Sequence, residues 1–324
     1  MDLRELTDKV LNGGEITREE ANLLVDAPLE ELCKAADELR KHFQGDAFDM
    51  CAILSVKGGR CTENCKFCAQ SSCSSADIPS FEVRDAAYVA EDAKRYDGIG
   101  VARYCQVSSG RRLNKREIAQ IAENIKRIVK ETNLMPCVSL GLIDREDLEL
   151  LKEAGLKRVH NNIESSPKYF GNLCSSHTTD DKIKVMKLVH EAGLELCSGG
   201  IFGVGETWQD RIDMAFALRE VQPESIPINM LKPIEGTPLE DREMISEEEL
   251  RRIIAIFKFI LPKSFVRFAA GRDVLEDSGM KCFTGGCNAT ITGNMLTVKG
   301  VSMVEDLKNI RELGYDLPQA SSFS

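Results

Sequence analysis

Short apolar runs alternate with segments of helical period along most of this chain, and this alternation constrains the fold more than any other feature. The segments between the runs begin at plausible N-caps such as Asn114, Thr207 and Ser246. Strand–helix alternation repeated eight times predicts an α/β protein whose parallel sheet closes as a (βα)8 TIM barrel, rather than two doubly wound halves. The eight runs are Cys51 to Val56, Ala102 to Val107, Met135 to Leu140, Arg158 to Ile163, Glu195 to Ile201, Ser225 to Leu231, Phe265 to Ala270, and Ala289 to Gly293.

An amphipathic, charged segment precedes the first run. We therefore predict an N-terminal helical extension over residues 1–45 and a barrel over residues 46–324. The length of 324 residues is sufficient for one eight-fold barrel, and no linker or low-complexity stretch divides it.

Charge and composition exclude several classes of protein. A net charge of -10 argues against a nucleic-acid partner, because such proteins usually present a basic face. No run of about 18 uninterrupted apolar residues and no signal-peptide layout is present, which predicts a cytoplasmic protein without a membrane partner. Twelve cysteines are then poorly explained by disulfides, since the cytosol keeps thiols reduced, and metal or cluster ligation is the better account of many of them.

Three cysteines lie close together directly after the first predicted strand. Cys61, Cys65 and Cys68 are separated by three and then two residues, and this loop would lie at the C-terminal mouth of the barrel, where active sites are built. Three thiolates can ligate three irons of a four-iron cubane and leave the fourth iron open to a small chelating molecule. Structural zinc prefers four closed ligands. Cys73 could supply the fourth, so zinc remains an alternative.

This loop resembles the signature of the radical S-adenosylmethionine (SAM) enzymes, including the aromatic Phe67 just before the third cysteine. The resemblance implies a 4Fe-4S cluster on the three cysteines. It also implies that SAM binds the open iron, with its adenine beside Phe67, and is cleaved to a 5'-deoxyadenosyl radical.

A second set of residues interrupts the apolar pattern of four different predicted strands: Cys105, Cys137, Cys197 and Arg267. Inward side chains of a barrel form layers, so these groups could converge in its interior. A buried arginine needs an anionic partner. A buried free cysteine, by contrast, is often an inert small hydrophobe. We prefer that inert interpretation for four other cysteines: Cys33, Cys51, Cys174 and Cys282.

From about Asp46 to Tyr315 the chain is similar to the biotin synthase family. The similarity implies that the three inner cysteines and Arg267 hold an auxiliary 2Fe-2S cluster, which gives up a sulfide to convert dethiobiotin to biotin. It also implies an electron donor such as flavodoxin or ferredoxin, iron-sulfur assembly proteins that rebuild the cluster, and a homodimer. The matching stretches lie at residues 197–207, 224–231, 236–239 and 266–272.

The same resemblance assigns five further residues to cofactor or substrate contacts: Asn162, Glu164, Lys182, Gly199 and Asn229. Glu164 stands where the family carries aspartate. Lys182 stands where the family carries an arginine that contacts the SAM carboxylate, so a single ammonium charge replaces a planar guanidinium with several donors. Gly199 would allow close backbone approach to SAM. Asn229 would bind a ligand, although an asparagine near a strand end can instead satisfy local backbone.

Cys287 stands where alanine is expected at the start of the eighth strand. We hypothesise that Cys287 is an added ligand of the auxiliary cluster, which would then hold four irons in place of two; an inert buried thiol is the alternative. Other functions remain open: another radical SAM enzyme of the same branch, of the hydrogenase-maturation or amino-acid mutase type, or a non-catalytic iron-sulfur carrier.

Overall fold

A computed structural model describes residues 2–293 and 300–317 of the chain. The predicted barrel domain, 46–324, therefore includes two stretches that lie outside the described residues, 294–299 and 318–324. Within the described ranges, no helix combines the length and apolar character needed to cross a membrane.

Strands and helices alternate along the described chain after an initial group of three helices. The strands are β1 (Asp49–Lys57), β2 (Arg103–Ser108), β3 (Met135–Ser139), β4 (Arg158–His160), β5 (Glu195–Cys197), β6 (Gly200–Phe202), β7 (Ser225–Met230), β8 (Phe265–Phe268) and β9 (Ala289–Thr292). The helices are α1 (Leu3–Leu11), α2 (Arg18–Leu23), α3 (Leu29–Gln44), α4 (Ala86–Lys94), α5 (Lys115–Glu131), α6 (Arg145–Glu153), α7 (Thr179–Glu191), α8 (Trp208–Val221), α9 (Glu247–Ile260) and α10 (Met303–Glu312).

The strands form one parallel sheet that closes on itself. Its order is β5-β4-β3-β2-β1-β9-β8-β7-β6, and a further pairing of β5 with β7, at Cys197 and Ser225, joins the ends of the sheet. Because β5 and β6 together occupy one strand position, the barrel has eight strand positions. The prediction of a (βα)8 barrel is confirmed.

The fifth predicted strand differs from the others because it is broken into β5 and β6. Gly199 lies in the break, where a Cβ atom would be 1.9 Å from the carbonyl oxygen of Pro227. The backbone amide of Ser198 donates to the carbonyl oxygen of Ser225 across the gap, at 2.9 Å. A periodic apolar run does not reveal such a break, since it depends on the approach of a strand distant in sequence.

The predicted helix starts are confirmed at Asn114, Thr207 and Ser246, whose side chains accept hydrogen bonds from backbone amides in the first turns of α5, α8 and α9. Each cap satisfies an amide that has no partner inside its own helix. The caps fix where each helix begins, and with it the length of the loop at the mouth of the barrel.

The N-terminal helices pack on the outside of the barrel. α3 contacts α9, and Arg251 makes a two-pronged ion pair with Glu30, with both N–O distances at 2.8 Å. The Gln44 side chain also donates to the carbonyl oxygen of Pro262, at 2.9 Å. The division at residue 45 stays a prediction, because these contacts join the extension closely to the barrel.

Candidate functional site

A cavity of about 470 Å³ lies inside the barrel at the C-terminal ends of its strands. This volume is in the range of sites that hold small molecules and cofactors. Alternate side chains of each strand point inward. The cavity therefore collects residues from many strands, and both cysteine sets of the sequence open onto it: Cys61, Cys65 and Cys68 from the loop after β1, and Cys105, Cys137 and Cys197 from β2, β3 and β5.

The loop that carries the first three cysteines is folded back on itself. The backbone amide of Cys61 donates to the carbonyl oxygen of Gln70 at 2.6 Å, and that of Cys68 donates to the carbonyl oxygen of Cys65 at 3.2 Å. All three thiols are free and half-buried. Burial raises the pKa of Cys68 and, together with the neighbouring thiol of Cys174, that of Cys65. Since thiolates are the ligating form, a bound cation would stabilise their deprotonation.

A second segment, residues 173–177, holds this loop in place. The Asn64 side chain accepts from the amides of Ser175 and Ser176 at 3.0 and 3.1 Å, and the Glu63 carboxylate lies 2.5 Å from Nδ1 of His177. Cys174, which we expected to be inert, lies with its sulfur 3.6 Å from that of Cys65. Its ligand atom and those of Cys65 and His177 all lie within 4.8 Å of one another. The sequence analysis missed this cluster, although the spacing Cys-x-x-His at residues 174–177 could have indicated it.

Three residues that the sequence predicts to contact a cofactor line the cavity: Phe67, Glu164 and Lys182. Glu164 has a φ of 71°, a conformation that is uncommon for a residue other than glycine and that indicates local strain. Burial raises its pKa, and the charge of Lys182 acts in the opposite direction. A carboxylate and an ammonium group therefore face the same cavity, where a zwitterionic or polar ligand could use both.

Asn162, Gly199 and Asn229 use their polar groups largely within the protein. Asn162 donates to Glu164 at 3.2 Å and accepts from the amide of Gly199 at 3.0 Å. Asn229 donates to the carbonyl oxygen of Gly200 at 3.0 Å and accepts from the amide of Ala270 at 3.3 Å. Both asparagines still line the cavity, whereas Gly199 does not. Close packing against β7 explains the glycine at 199, and contact of Gly199 with a cofactor stays a prediction.

Two of the deeper thiols, Cys105 and Cys137, lie on adjacent strands, and Cys197 lies on β5, which β4 separates from β3. Cys105 pairs with Cys137 in the β2–β3 register, and His160 pairs with Cys197 in the β4–β5 register. Burial raises the pKa of Cys105 and brings that of Cys137 to about 11. Burial acts the same way on Cys197, but a 3.5 Å contact with Nδ1 of His160 and two nearby arginines bring its pKa to about 7. Cys197 is therefore the deep thiol most readily deprotonated.

A buried ion network forms the floor of the cavity. Asp49 is fully buried, and its Oδ2 accepts from three guanidinium groups, at 3.1 Å from Arg103, 2.8 Å from Arg158 and 2.9 Å from Arg267. Burial alone would raise the pKa of Asp49, but the three arginines hold it well below its ordinary value. Glu195 pairs with two of them, Arg103 and Arg158. Three cations thus face two carboxylates, which leaves a surplus of positive charge beneath the deep thiols.

Arg267 needs an anionic partner, as the sequence indicated, and that partner is Asp49. Its Nη1 donates to the carbonyl oxygens of Thr290 and Asp49 at 2.5 and 3.2 Å, and its Nε donates to Oγ of Ser225 at 3.3 Å. All three guanidinium nitrogens are therefore hydrogen-bond donors. As an iron ligand, Arg267 would have to lose a proton, since a protonated guanidinium has no lone pair to offer.

Two other cysteines lie where the sequence did not lead us to expect them. Cys287 is buried outside the cavity, with its sulfur 3.1 Å from the carbonyl oxygen of Val266, so the structure does not bring it together with the deep thiols. Cys51, which we expected to be inert, lines the cavity and packs in one group with Cys105 and Cys137. The predicted role of Cys287 as a ligand thus gains no support from its position.

The two sets of cysteines fit the two iron-sulfur clusters that the sequence predicts. Iron-sulfur clusters are held by cysteine thiolates, and the loop offers three of them with no fourth thiol from its own spacing, since Cys73 is exposed and does not line the cavity. The deep set is enclosed, sulfur-rich and flanked by cations. Such surroundings suit an anionic cluster better than a hydrated metal ion.

Comparison with known proteins agrees with this geometry. The profile of the Radical SAM superfamily matches residues 55–218, and that of the Biotin and Thiamin Synthesis associated domain matches residues 227–316. Together with the parallel eight-fold barrel and the three cysteines in its first loop, the match to this superfamily shows that the chain is a radical SAM enzyme.

Similar proteins identify the family within that class. The chain is 49% identical over 315 residues to a biotin synthase of Brachyspira hyodysenteriae, with 97% of this chain and 95% of that protein covered. It is 44% identical over 323 residues to biotin synthase 2 of Corynebacterium diphtheriae, with 99% and 98% covered. The chain belongs to the biotin synthase family.

Solved structures support the fold at lower identity. Methylornithine synthase superposes with a TM-score of 0.84 at 19% identity, and 98% of each chain is covered. The FeFe-hydrogenase maturase from Carboxydothermus hydrogenoformans gives 0.79 at 16% identity, covering 96% of this chain and 78% of the maturase. The barrel fold is therefore shared with these two proteins at low sequence identity.

Proposed function

We propose that this chain converts dethiobiotin to biotin by inserting a sulfur atom that an auxiliary iron-sulfur cluster supplies. The observation that carries this proposal is that one cavity is lined by both thiol sets. A substrate between them can be exposed to a radical generated at one set and to sulfur held at the other.

The loop thiols would hold a 4Fe-4S cluster and the deep thiols, beside Arg267, the auxiliary cluster. When bound, the first supplies an electron for cleavage of SAM and the second supplies sulfide. The residues themselves bind and orient: Phe67 offers an apolar face for an adenine ring, while Lys182 and Glu164 offer opposite charges to the polar ends of SAM.

The cavity wall would also protect the reaction. Apolar side chains from several parts of the barrel line the cavity, including Ile53, Val107, Ile201 and Leu231. A primary alkyl radical abstracts hydrogen from many partners, so exclusion of water and oxygen is needed for selective attack on an unactivated C–H bond. The barrel interior provides such an enclosure.

Other parts of the proposal concern partners. An electron donor such as flavodoxin or ferredoxin would reduce the first cluster, iron-sulfur assembly proteins would rebuild the second, and the chain would act as a cytoplasmic homodimer. Family resemblance supports these expectations.

The decisive test is an anaerobic incubation of the reconstituted protein with SAM, a reductant and dethiobiotin. We expect biotin, at up to about one molecule per chain if the auxiliary sulfide is not replaced, together with 5'-deoxyadenosine, both measured by mass spectrometry. Deoxyadenosine without biotin would contradict sulfur insertion and direct attention to another substrate.

Lys182 offers a second test. Lys182→Ala removes the cation that would face the SAM carboxylate, so we expect the KM for SAM to rise by about tenfold to a hundredfold. Lys182→Arg restores the charge and should recover most of the loss. Lys184→Ala removes an exposed lysine from the same helix and serves as the control. An unchanged KM in Lys182→Ala would remove this residue from the proposed site.

A further inference from the structure

A group of metal-binding side chains lies beside the cluster loop and takes only one of its members from that loop's cysteines. The ligand atoms of Cys65, Cys174 and His177 all lie within 4.8 Å of one another. We propose that, in protein without the first iron-sulfur cluster, these three side chains bind one Zn²⁺ ion, and that this ion and the cluster exclude each other because both need Cys65. The zinc site goes beyond the proposed function, whereas the exclusion rests on the cluster assignment made there.

The distances in this group match the size of a site for one ion. Zinc in proteins is tetrahedral, with Zn–S bonds of about 2.3 Å, so two thiolates on one ion lie about 3.8 Å apart. The sulfurs of Cys65 and Cys174 are 3.6 Å apart. The thiolates of a cubane, by contrast, bind different irons and are spread around it. Among the residues that the structure describes, Cys61, Cys65 and Cys68 do not gather as closely as the proposed zinc ligands.

Glu63 holds the histidine in the form that binds zinc. Its carboxylate lies 2.5 Å from Nδ1 of His177, so it accepts the Nδ1 proton and leaves the lone pair of Nε2 for a metal. A carboxylate that orients a metal-binding imidazole in this way is the usual outer partner of a histidine–zinc bond. Nε2 lies 4.0 Å from the sulfur of Cys174. One ion can reach both atoms, since Zn–N and Zn–S bonds are about 2.1 and 2.3 Å long.

Hydrogen bonds that do not involve the ligand atoms join the two segments of the site. The amide of Asn64 donates to Oγ of Ser176 at 3.2 Å, and the amide of Lys66 donates to the carbonyl oxygen of Leu173 at 2.9 Å. Cys65 lies between these two anchors in the sequence, so its backbone is held against the second segment. Ligands that are already positioned bind an ion with less loss of conformational entropy.

Sharing Cys65 makes the zinc ion and the cluster alternatives. Zn²⁺ binding replaces the thiol protons of Cys65 and Cys174, and three protein ligands leave the fourth position of the tetrahedron to water. A cubane held by Cys61, Cys65 and Cys68 cannot form while Cys65 is bound to the ion. We therefore expect zinc to block loading of the first cluster, and removal of Cys174 to relieve this competition without removing a cluster ligand.

The test measures zinc binding and cluster loading separately, in full-length protein prepared without iron. Zn²⁺ would be titrated against a chromophoric chelator, and the absorption of bound Co²⁺ would report thiolate ligation. The variants are Cys174→Ala, Cys174→Ser and His177→Gln, with Cys73→Ala as the control at an exposed thiol of the loop. Circular dichroism would confirm folding. Iron and labile sulfide would then be measured after anaerobic reconstitution, with and without one equivalent of Zn²⁺ added first.

We expect wild type to bind one more Zn²⁺ per chain than Cys174→Ala, and His177→Gln to bind that ion at least about tenfold more weakly, with Cys73→Ala unchanged. Zinc added first should lower the iron loaded by wild type by about four atoms per chain and leave Cys174→Ala unaffected. Equal zinc binding in wild type and the folded variants would overturn the site, and equal loading of wild type with and without Zn²⁺ would overturn the exclusion. If the protein loads no cluster even without zinc, the cluster assignment fails together with the exclusion, while the zinc titration still decides the site.

Discussion

Replacing Cys68 by alanine should abolish formation of both 5'-deoxyadenosine and biotin. The loop provides three thiols to the cavity, and the loss of one leaves two, too few to hold a cubane through three of its irons. Because all later chemistry depends on that cluster, we expect both products to fall by about a thousandfold or more, measured by mass spectrometry under single-turnover conditions. Cys68 suits this test better than Cys65, since the thiol of Cys174 lies 3.6 Å from that of Cys65 and could replace it.

Cys73→Ala is the matched control for this experiment. It removes a thiol from the same loop, but one that is exposed and does not line the cavity. We expect near-normal product formation from this variant. A large loss in Cys73→Ala would mean that Cys73 also belongs to the cluster site, and normal activity in Cys68→Ala would refute the assignment of the loop.

The fold could be predicted from the sequence because the barrel repeats one local pattern eight times. Each strand and each cap is specified by neighbouring residues, so Asn114, Thr207 and Ser246 could be assigned from their immediate surroundings. The break between β5 and β6 could not be predicted in this way, because the carbonyl oxygen of Pro227 that approaches Gly199 belongs to another strand.

The site illustrates the same limit. The loop cysteines are close in sequence, so their spacing was informative. Whether a cysteine on a strand faces the cavity depends on register and on where the strand begins, and the inert interpretation of Cys51 missed this. Cys287 precedes β9, which begins at Ala289, and its thiol bonds to the carbonyl oxygen of Val266 outside the cavity. The partner of Arg267 was likewise expected to be a cluster, because nothing near Asp49 in the sequence indicates three arginines.

Asp49→Asn should produce the largest loss of stability among single substitutions in the barrel floor. The change leaves three buried guanidinium groups with Glu195 as the remaining carboxylate of the network. Leaving buried charge uncompensated typically costs about 3–5 kcal/mol of unfolding free energy. For a chain of this size we expect Tm to fall by about 5–10 °C in the cluster-free protein. The control is Asp8→Asn, which alters an exposed carboxylate paired with Arg4 and should cost less than about 0.5 kcal/mol.

The same variant links the stability of the floor to the cluster above it. If an anionic cluster sits against the arginines, it compensates part of the charge that Asp49 no longer neutralises, so the loss in Tm should be smaller in cluster-loaded protein than in cluster-free protein. Differential scanning calorimetry of both forms, for wild type and Asp49→Asn, measures this coupling. Equal losses in the two forms would mean that the cluster does not interact with the arginines. Arg267 would then stabilise only the barrel, through its ion pair with Asp49, and would have no electrostatic role toward the auxiliary cluster.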